Sequence, residues 1–280
     1  MILITGATGT VGRAATRLLL EQGQAVAAVT RDPARASVPE GAHVVAGDPA
    51  HPASLTDALA GAEAILLSPR AAAGAAPELL ARASERGVKR VVVLSATTVE
   101  HPAGEPRFAQ EFAAAEAAAR ASGLEWTVLR CADFAANSLA WAPQIRSARV
   151  VRGAYGQAAT SPIHERDIAA VAVRALVDPA HAGRCYLLTG PESLTQYDKV
   201  RLIGAAIGAD VRFVELPPAQ VRQGMLAAGL PEDVPDRLLG SLADYARRPG
   251  PTSQVVEQLL GRPALTFADW VAGHAGAFGG

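Results

Sequence analysis

Lysine is nearly missing from this chain: of its 26 basic residues only Lys89 and Lys199 are lysine. The basic residues are matched by 27 acidic ones, for a formal net charge of -1. That balance removes the footprint that nucleic acid or an anionic bilayer requires of a partner. Cysteine is confined to Cys131 and Cys185, too few for a disulfide scaffold or a structural zinc site. The histidines are scattered and show no metal-ligand spacing. No apolar run approaches the ~20 residues of a membrane span. The alanine stretch at 113–119 is broken by Glu116 and flanked by Glu111 and Arg120. No basic segment and apolar core precede a cleavage site, so the expected location is the cytoplasm. A Gly-x-Ser-x-Gly elbow is absent too, which argues against a Ser–His–Asp hydrolase.

What is present is apolar: half of the 280 residues are hydrophobic and 19% are charged. Such a composition excludes a disordered chain and predicts a large core. Short apolar runs at 1–5, 25–30, 43–46, 64–67, 90–95 and 125–130 alternate with helical stretches at 11–21, 54–60, 77–86 and 105–122. Gly23, Gly87 and Gly123 each fall just past a helix, where a left-handed cap is wanted. Runs without polar alternation predict strands buried on both faces, and the strand–helix alternation predicts a parallel sheet. The expected fold is therefore α/β, a doubly wound Rossmann sheet. A nucleotide-binding domain over 1–152 would be followed by a smaller α/β lobe over 153–280, interleaved with the sheet. In that second half, 184–188 and 211–216 read as strands and 163–177 and 196–208 as largely helical.

The strongest signal is Thr5-Gly6-Ala7-Thr8-Gly9-Thr10-Val11-Gly12. It follows a strand and opens a helix, the context of a dinucleotide fingerprint. Gly6 would allow the tight turn, Gly9 the approach of a pyrophosphate, and Gly12 close packing of helix on strand. The helix start, with Thr8, Thr10 and Val11, would offer N–H groups to the phosphates. After the second strand, an acid would favour NAD and an arginine NADP. Here Arg31 comes first, before Asp32, and its planar fork suits a 2′-phosphate. NADP(H) is the favoured cofactor, with NAD(H) the alternative.

Three stretches, TGATGTVG, VTRDP and ASGLEWTVLRCADFAAN, together with SPIHERDIAAVAVRAL, resemble the NmrA-like atypical short-chain dehydrogenases. Within these the chain is most similar to the quinone-reductase-like members. The resemblance spans about the first two-thirds of the chain. It implies NADP(H) in the cleft, with Asp48 beside the adenine and Leu67 and Ser68 along the adenosine. It places Ser95 and Ala96 at the nicotinamide ribose, and Cys131 to Phe134 at the nicotinamide and substrate.

The wider superfamily protonates its substrate with a Tyr-x-x-x-Lys pair. None of Tyr155, Tyr186, Tyr197 and Tyr245 has lysine four residues later. Phe108 and Phe112 stand on the corresponding helix. Glu116 occupies a position where the family commonly has an acid, although a helix-surface charge is the simpler expectation. No catalytic residue is assigned. The substrate pocket is expected to draw on Phe108, Phe112, Phe134, Asn137, Trp141 and Tyr155. Phe134, Asn137 and Trp141 would share a face at α-helical spacing, although a plain core role suits the two aromatics as well. His164 is expected to be structural and Asp167 to cap a helix.

Three functions remain open. One is NADP(H)-dependent reduction of a quinone-like or conjugated aromatic acceptor by direct hydride transfer. The second is a non-catalytic NADP(H)-binding redox sensor of the NmrA type. The third is a tailoring ketoreductase of a biosynthetic pathway. The expected partner is a small planar molecule, and a homodimer is compatible with the helical C-terminal lobe.

Overall fold

The computed structural model describes the whole chain, Met1–Gly280. The strands are β1 (Ile2–Ile4), β2 (Val26–Thr30), β3 (His43–Ala46), β4 (Ala64–Leu67), β5 (Arg90–Ala96), β6 (Glu125–Cys131), β7 (Val150–Gly153), β8 (Arg184–Leu188) and β9 (Arg212–Glu215). The helices are α1 (Thr10–Glu21), α2 (Thr56–Ala60), α3 (Pro69–Ala72), α4 (Ala76–Glu85), α5 (Pro106–Ala121), α6 (Ala142–Ala148), α7 (Glu165–Val177), α8 (Gln196–Ala206), α9 (Pro218–Ala227), α10 (Asp233–Arg247), α11 (Val255–Leu260) and α12 (Phe267–His274).

Seven strands form one sheet in the order β3-β2-β1-β4-β5-β6-β8. The ladders from β3 to β6 are parallel, with Leu3 opposite both Ala27 and Ile65, and Val93 opposite Val128. The order reverses at β1, where the chain moves from β1–β2–β3 across to β4. That reversal is the crevice-forming point of an open α/β sheet. The expected doubly wound Rossmann fold is present.

Two compact units partition the chain. The first comprises 1–99, 110–131 and 165–187, and the second 100–109, 132–164 and 188–280. The first unit holds the sheet. Its central strands are the most apolar: β1 and β4 are buried at every residue, as expected of strands covered on both faces. One core contains Leu3, Val29, Ile65, Leu67, Leu79, Val91, Val93 and Val128. The second unit has its own core, in which Ile145, Val151, Ile203, Phe267, Trp270 and Phe278 pack together. There β7 pairs in parallel with β9, Val151 opposite Phe213. No helix is long and apolar enough to cross a membrane.

Two departures from the sequence reading lie in the second unit. β7 has only one fully buried residue in four, so it lacks the apolar signature of the central strands. Residues 135–141 form a 3-10 turn rather than an α-helix. At three residues per turn Asn137 follows Phe134 on one face, but Trp141 does not fall in that repeat. Trp141 instead packs against the second core.

Candidate functional site

The loop between β1 and α1 carries the glycine signature, and its geometry explains each glycine separately. Gly6 has φ +67°, a left-handed conformation that glycine adopts without strain. Gly12 has no room for a side chain. A Cβ there would run into the Gly6 carbonyl oxygen and sit 2.9 Å from the Ala7 Cα. Gly9 differs from both. Its backbone is ordinary extended chain, φ -77° and ψ 171°, and a Cβ would meet nothing but the Gly6 oxygen, at 3.2 Å. Space is therefore kept above Gly9 for something other than protein. α1 starts at that point with no side-chain cap and no acid in its first turn. Its N–H groups and positive dipole end suit an anion.

Neighbouring strand ends tie into this loop. The Thr5 hydroxyl donates to the Leu66 carbonyl at 2.9 Å and accepts the Ser68 N–H at 2.8 Å. Ser68 Cβ stands 3.2 Å from the Cβ position of Gly6. At the end of β2, Arg31 is exposed. Gly47, just past β3, donates its N–H to the Thr30 carbonyl at 2.9 Å. Asp48 accepts the Ala50 N–H at 3.0 Å, and that bond holds its carboxyl below the usual carboxylate range, helped by His51 and by the Arg31 charge. Gly6, Gly9, Gly12, Arg31, Asp48, Leu67, Ser68, Ser95, Ala96 and Cys131 all belong to the first unit. Each sits in the loop after β1, in the first turn of α1 or at the carboxyl end of a strand, where open α/β sheets take ligands. The cradle over Gly9 and the uncapped helix fit a dinucleotide pyrophosphate.

Polar groups at the ends of β5 and β6 are spent on one another. Ser95 and Arg130 are register partners across the two strands. Glu116 of α5 reaches both: it accepts the Ser95 hydroxyl at 2.6 Å, Arg130 Nε at 3.0 Å, Arg130 Nη2 at 2.8 Å and Arg120 Nη2 at 2.9 Å. Its side chain is 1% exposed. The expected surface charge is thus corrected to a buried, four-fold hydrogen-bonded carboxylate. Burial works to raise its pKa, but the bonds from Arg130, Ser95 and Arg120 hold it below the ordinary value. Arg120 also lies 5.1 Å over the Trp126 ring. Cys131 is buried and its thiol is pushed up to about 12 by desolvation, so it is no thiolate nucleophile.

The substrate candidates are distributed unevenly. Phe112 belongs to the first unit and is buried. Phe108 belongs to the second, with the Arg237 guanidinium 4.5 Å from its ring centroid. Phe134, Asn137, Trp141 and Tyr155 also lie in the second unit. Tyr155 adopts φ +55°, an uncommon conformation for a bulky residue. Asn137 is exposed and donates its amide to Asp133 at 2.8 Å. His164 and Asp167 are both buried. No three His, Cys, Asp or Glu side chains cluster to hold a metal ion.

The comparison with known proteins completes this picture. A family model described as NAD(P)H-binding matches residues 6–179. The chain belongs to the NAD(P)H-binding family. It is 39% identical to a (4-alkanoyl-5-oxo-2,5-dihydrofuran-3-yl)methyl phosphate reductase of Streptomyces griseus, over 99% of each chain. It is 34% identical to an NAD(P)H azoreductase of Xenophilus azovorans, over 100% of this chain and 99% of the relative. A solved NADPH-dependent quinone oxidoreductase of Escherichia coli in complex with NADPH superposes with a TM-score of 0.84 and 28% identity, over 98% of this chain and 99% of that one. The family member is an NAD(P)H-dependent oxidoreductase related to quinone reductase and azoreductase, as its motifs lead one to expect.

Proposed function

We propose that the chain is an NADPH-dependent reductase of quinone-like or conjugated acceptors that works without a tyrosine acid. The observation that carries this is where its tyrosines lie. α5, the helix after β5, holds none of the four. The Tyr186 hydroxyl is hydrogen-bonded to His181 Nδ1 and that of Tyr197 to Glu215, each at 2.8 Å. The Ser95 hydroxyl is likewise given to Glu116. A saturated ketone needs a strong acid as its oxygen gains charge. A quinone does not, because its product oxyanion is delocalised, and water can supply the proton.

NADPH, when bound, supplies the hydride. The chain's own part is to bind and orient. Gly6, Gly9, Gly12 and the start of α1 would hold the pyrophosphate. Arg31 would take the 2′-phosphate and so select NADP(H) over NAD(H). The relatives named for quinone, azo and unsaturated lactone reduction share the feature that their acceptors are conjugated. The test is loss of NADPH absorbance with a panel of quinones, azo dyes, enones and saturated ketones. Turnover of the conjugated members alone is the expected result. Nucleotide binding without turnover of any acceptor would favour the redox-sensor reading, and reduction of saturated ketones alone would overturn both.

A further inference from the structure

The turn between α7 and β8 lies at the amino end of the sheet, opposite the glycine loop, and it is built around a histidine. His181 is buried, at 8% exposure. Its carbonyl accepts the Thr127 hydroxyl of β6 at 2.8 Å, and the Gly183 N–H donates to the Trp126 carbonyl at 2.7 Å. The imidazole meets the Tyr186 ring edge-on, with centroids 5.7 Å apart. Asp178 Oδ2 stands 4.0 Å from Nε2 and favours the ring hydrogen on that nitrogen. Nδ1 is then left to accept the Tyr186 hydroxyl at 2.8 Å. Tyr186 belongs to β8 itself, the edge strand beside β6. One imidazole thus joins the turn to the edge strand.

Protonation undoes this arrangement. An imidazolium carries a hydrogen on both nitrogens, so Nδ1 can no longer accept, and the Tyr186 hydroxyl loses its acceptor. The new charge is also buried among charges mostly of its own sign. Arg174 of α7, Arg184 of β8 and Arg90 of β5 oppose it, and Asp178 favours it. Arg90 is itself held by Glu125 at 2.6 Å and by the Leu176 carbonyl at 2.8 Å, so it does not swing away. Burial is the largest cause that holds the His181 pKa below 6.5. Asp178 works against it, and the three arginines add to it.

We infer that His181 is an acid-sensitive latch, and that charging it releases the turn and the amino-terminal half of β8 from the edge of the sheet. A released histidine takes its proton at the ordinary value. The latch is therefore fully closed above pH 6.5 and loosens as pH falls through 6.5 toward the lower folded value. At pH 5.5 about ten in eleven released histidines are charged, which favours release by at most about elevenfold. Release leaves the N–H and C=O groups of β6 as the new edge of the sheet, on which another strand can pair.

Hydrogen exchange of the whole protein at pH 7.5 and pH 5.5, corrected for intrinsic rates, tests the latch. The Gly183 N–H and the β8 amides should open about threefold to elevenfold more often at pH 5.5, while the amides of β1 and β4 keep their protection. His181→Asn takes no proton and keeps an oxygen acceptor near the place of Nδ1. Its Gly183 protection should agree at the two pH values within about twofold. Arg174→Gln with Arg184→Gln keeps the histidine, removes two opposing charges and should show a smaller acceleration than the wild type. Equal Gly183 protection at both pH values in the wild type overturns the latch. An acceleration in His181→Asn as large as in the wild type overturns it too, because the acid response then lies elsewhere. So does an acceleration that β1 and β4 share, because the whole fold then opens. Should His181→Asn fail to fold, an acceleration in the arginine variant equal to that of the wild type overturns the latch instead.

Discussion

Replacing Gly9 by valine separates the phosphate site from the fold. The position has ordinary extended φ and ψ, so valine meets no backbone strain. Its Cβ touches only the Gly6 carbonyl oxygen, at 3.2 Å, a gap that a few tenths of an ångström of adjustment relieves. Gly9 also precedes the first residue of α1, where valine is a poorer residue than glycine by about 1 kcal/mol. For a chain of this size that lowers Tm by roughly 2–4 °C. Against this small loss stands the branched side chain, which occupies the space over the uncapped helix start. NADPH affinity should fall at least ~100-fold, equivalent to about 2.7 kcal/mol. Gly12→Ala is the opposite case. Its Cβ overlaps backbone atoms of Gly6 and Ala7, so the loop or α1 must move, and loss of fold should accompany loss of binding. Thermal melts by circular dichroism and NADPH fluorescence titration on the same samples distinguish the two. A Gly9→Val protein that binds NADPH with unchanged affinity would refute the cradle, and one that unfolds would refute the reading of open space.

Arg31→Ala should remove most of a preference for NADP(H) over NAD(H), a loss of roughly tenfold to a hundredfold in NADP(H) affinity alone. Equal wild-type affinities for the two nucleotides would defeat that expectation. Glu116→Gln should cost about 3–5 kcal/mol, because it removes the buried charge that Arg130 and Arg120 share, and urea titration at neutral pH measures it. The folded-state pKa of Glu116 lies below the unfolded value of 4.5. Its contribution is therefore fully present above pH 4.5 and is lost as pH falls through the lower folded value. The variant should lose stability less steeply on acidification below pH 4.5, and an unchanged slope would count against the pairing. Cys131, with its thiol near 12, should resist a thiol reagent in the native protein while the exposed Cys185 reacts. Two reactive thiols before unfolding would contradict this.

The first unit was largely legible in the sequence because its signals are local. Unbroken apolar runs such as Val91–Val92–Val93 mark strands covered on both faces, and α1, α4 and α5 are each followed closely by a glycine, Gly23, Gly87 and Gly123. The phosphate loop is readable for the same reason, since its three glycines lie close together between Gly6 and Gly12. Glu116 was not legible as a buried group, because its partners come from distant places. It shares a helix stripe with buried Phe112, Ala115 and Ala119, and Arg130 follows the buried run Thr127–Leu129 in its strand. Read together, those two misplaced charges were the available signal. The ion pair of buried Lys199 with Asp133 was still less visible, spanning 66 positions. β7 escaped because a half-exposed strand in a two-stranded sheet needs little apolar sequence.

The first unit takes its parts from three stretches of chain, and this bears on how the protein is made. α1, which follows directly on the phosphate loop, packs along α7. It offers Val11, Ala15 and Leu19 as buried residues. α7 begins only at Glu165, and β8, the last strand of the sheet, ends at Leu188. During synthesis the glycine loop emerges first, yet the apolar side of its helix stays uncovered until more than half of the chain has followed. Stalled or truncated chains should therefore be sticky rather than merely inactive. A fragment ending at residue 152 would carry every phosphate-loop residue and lack the helix that seats them.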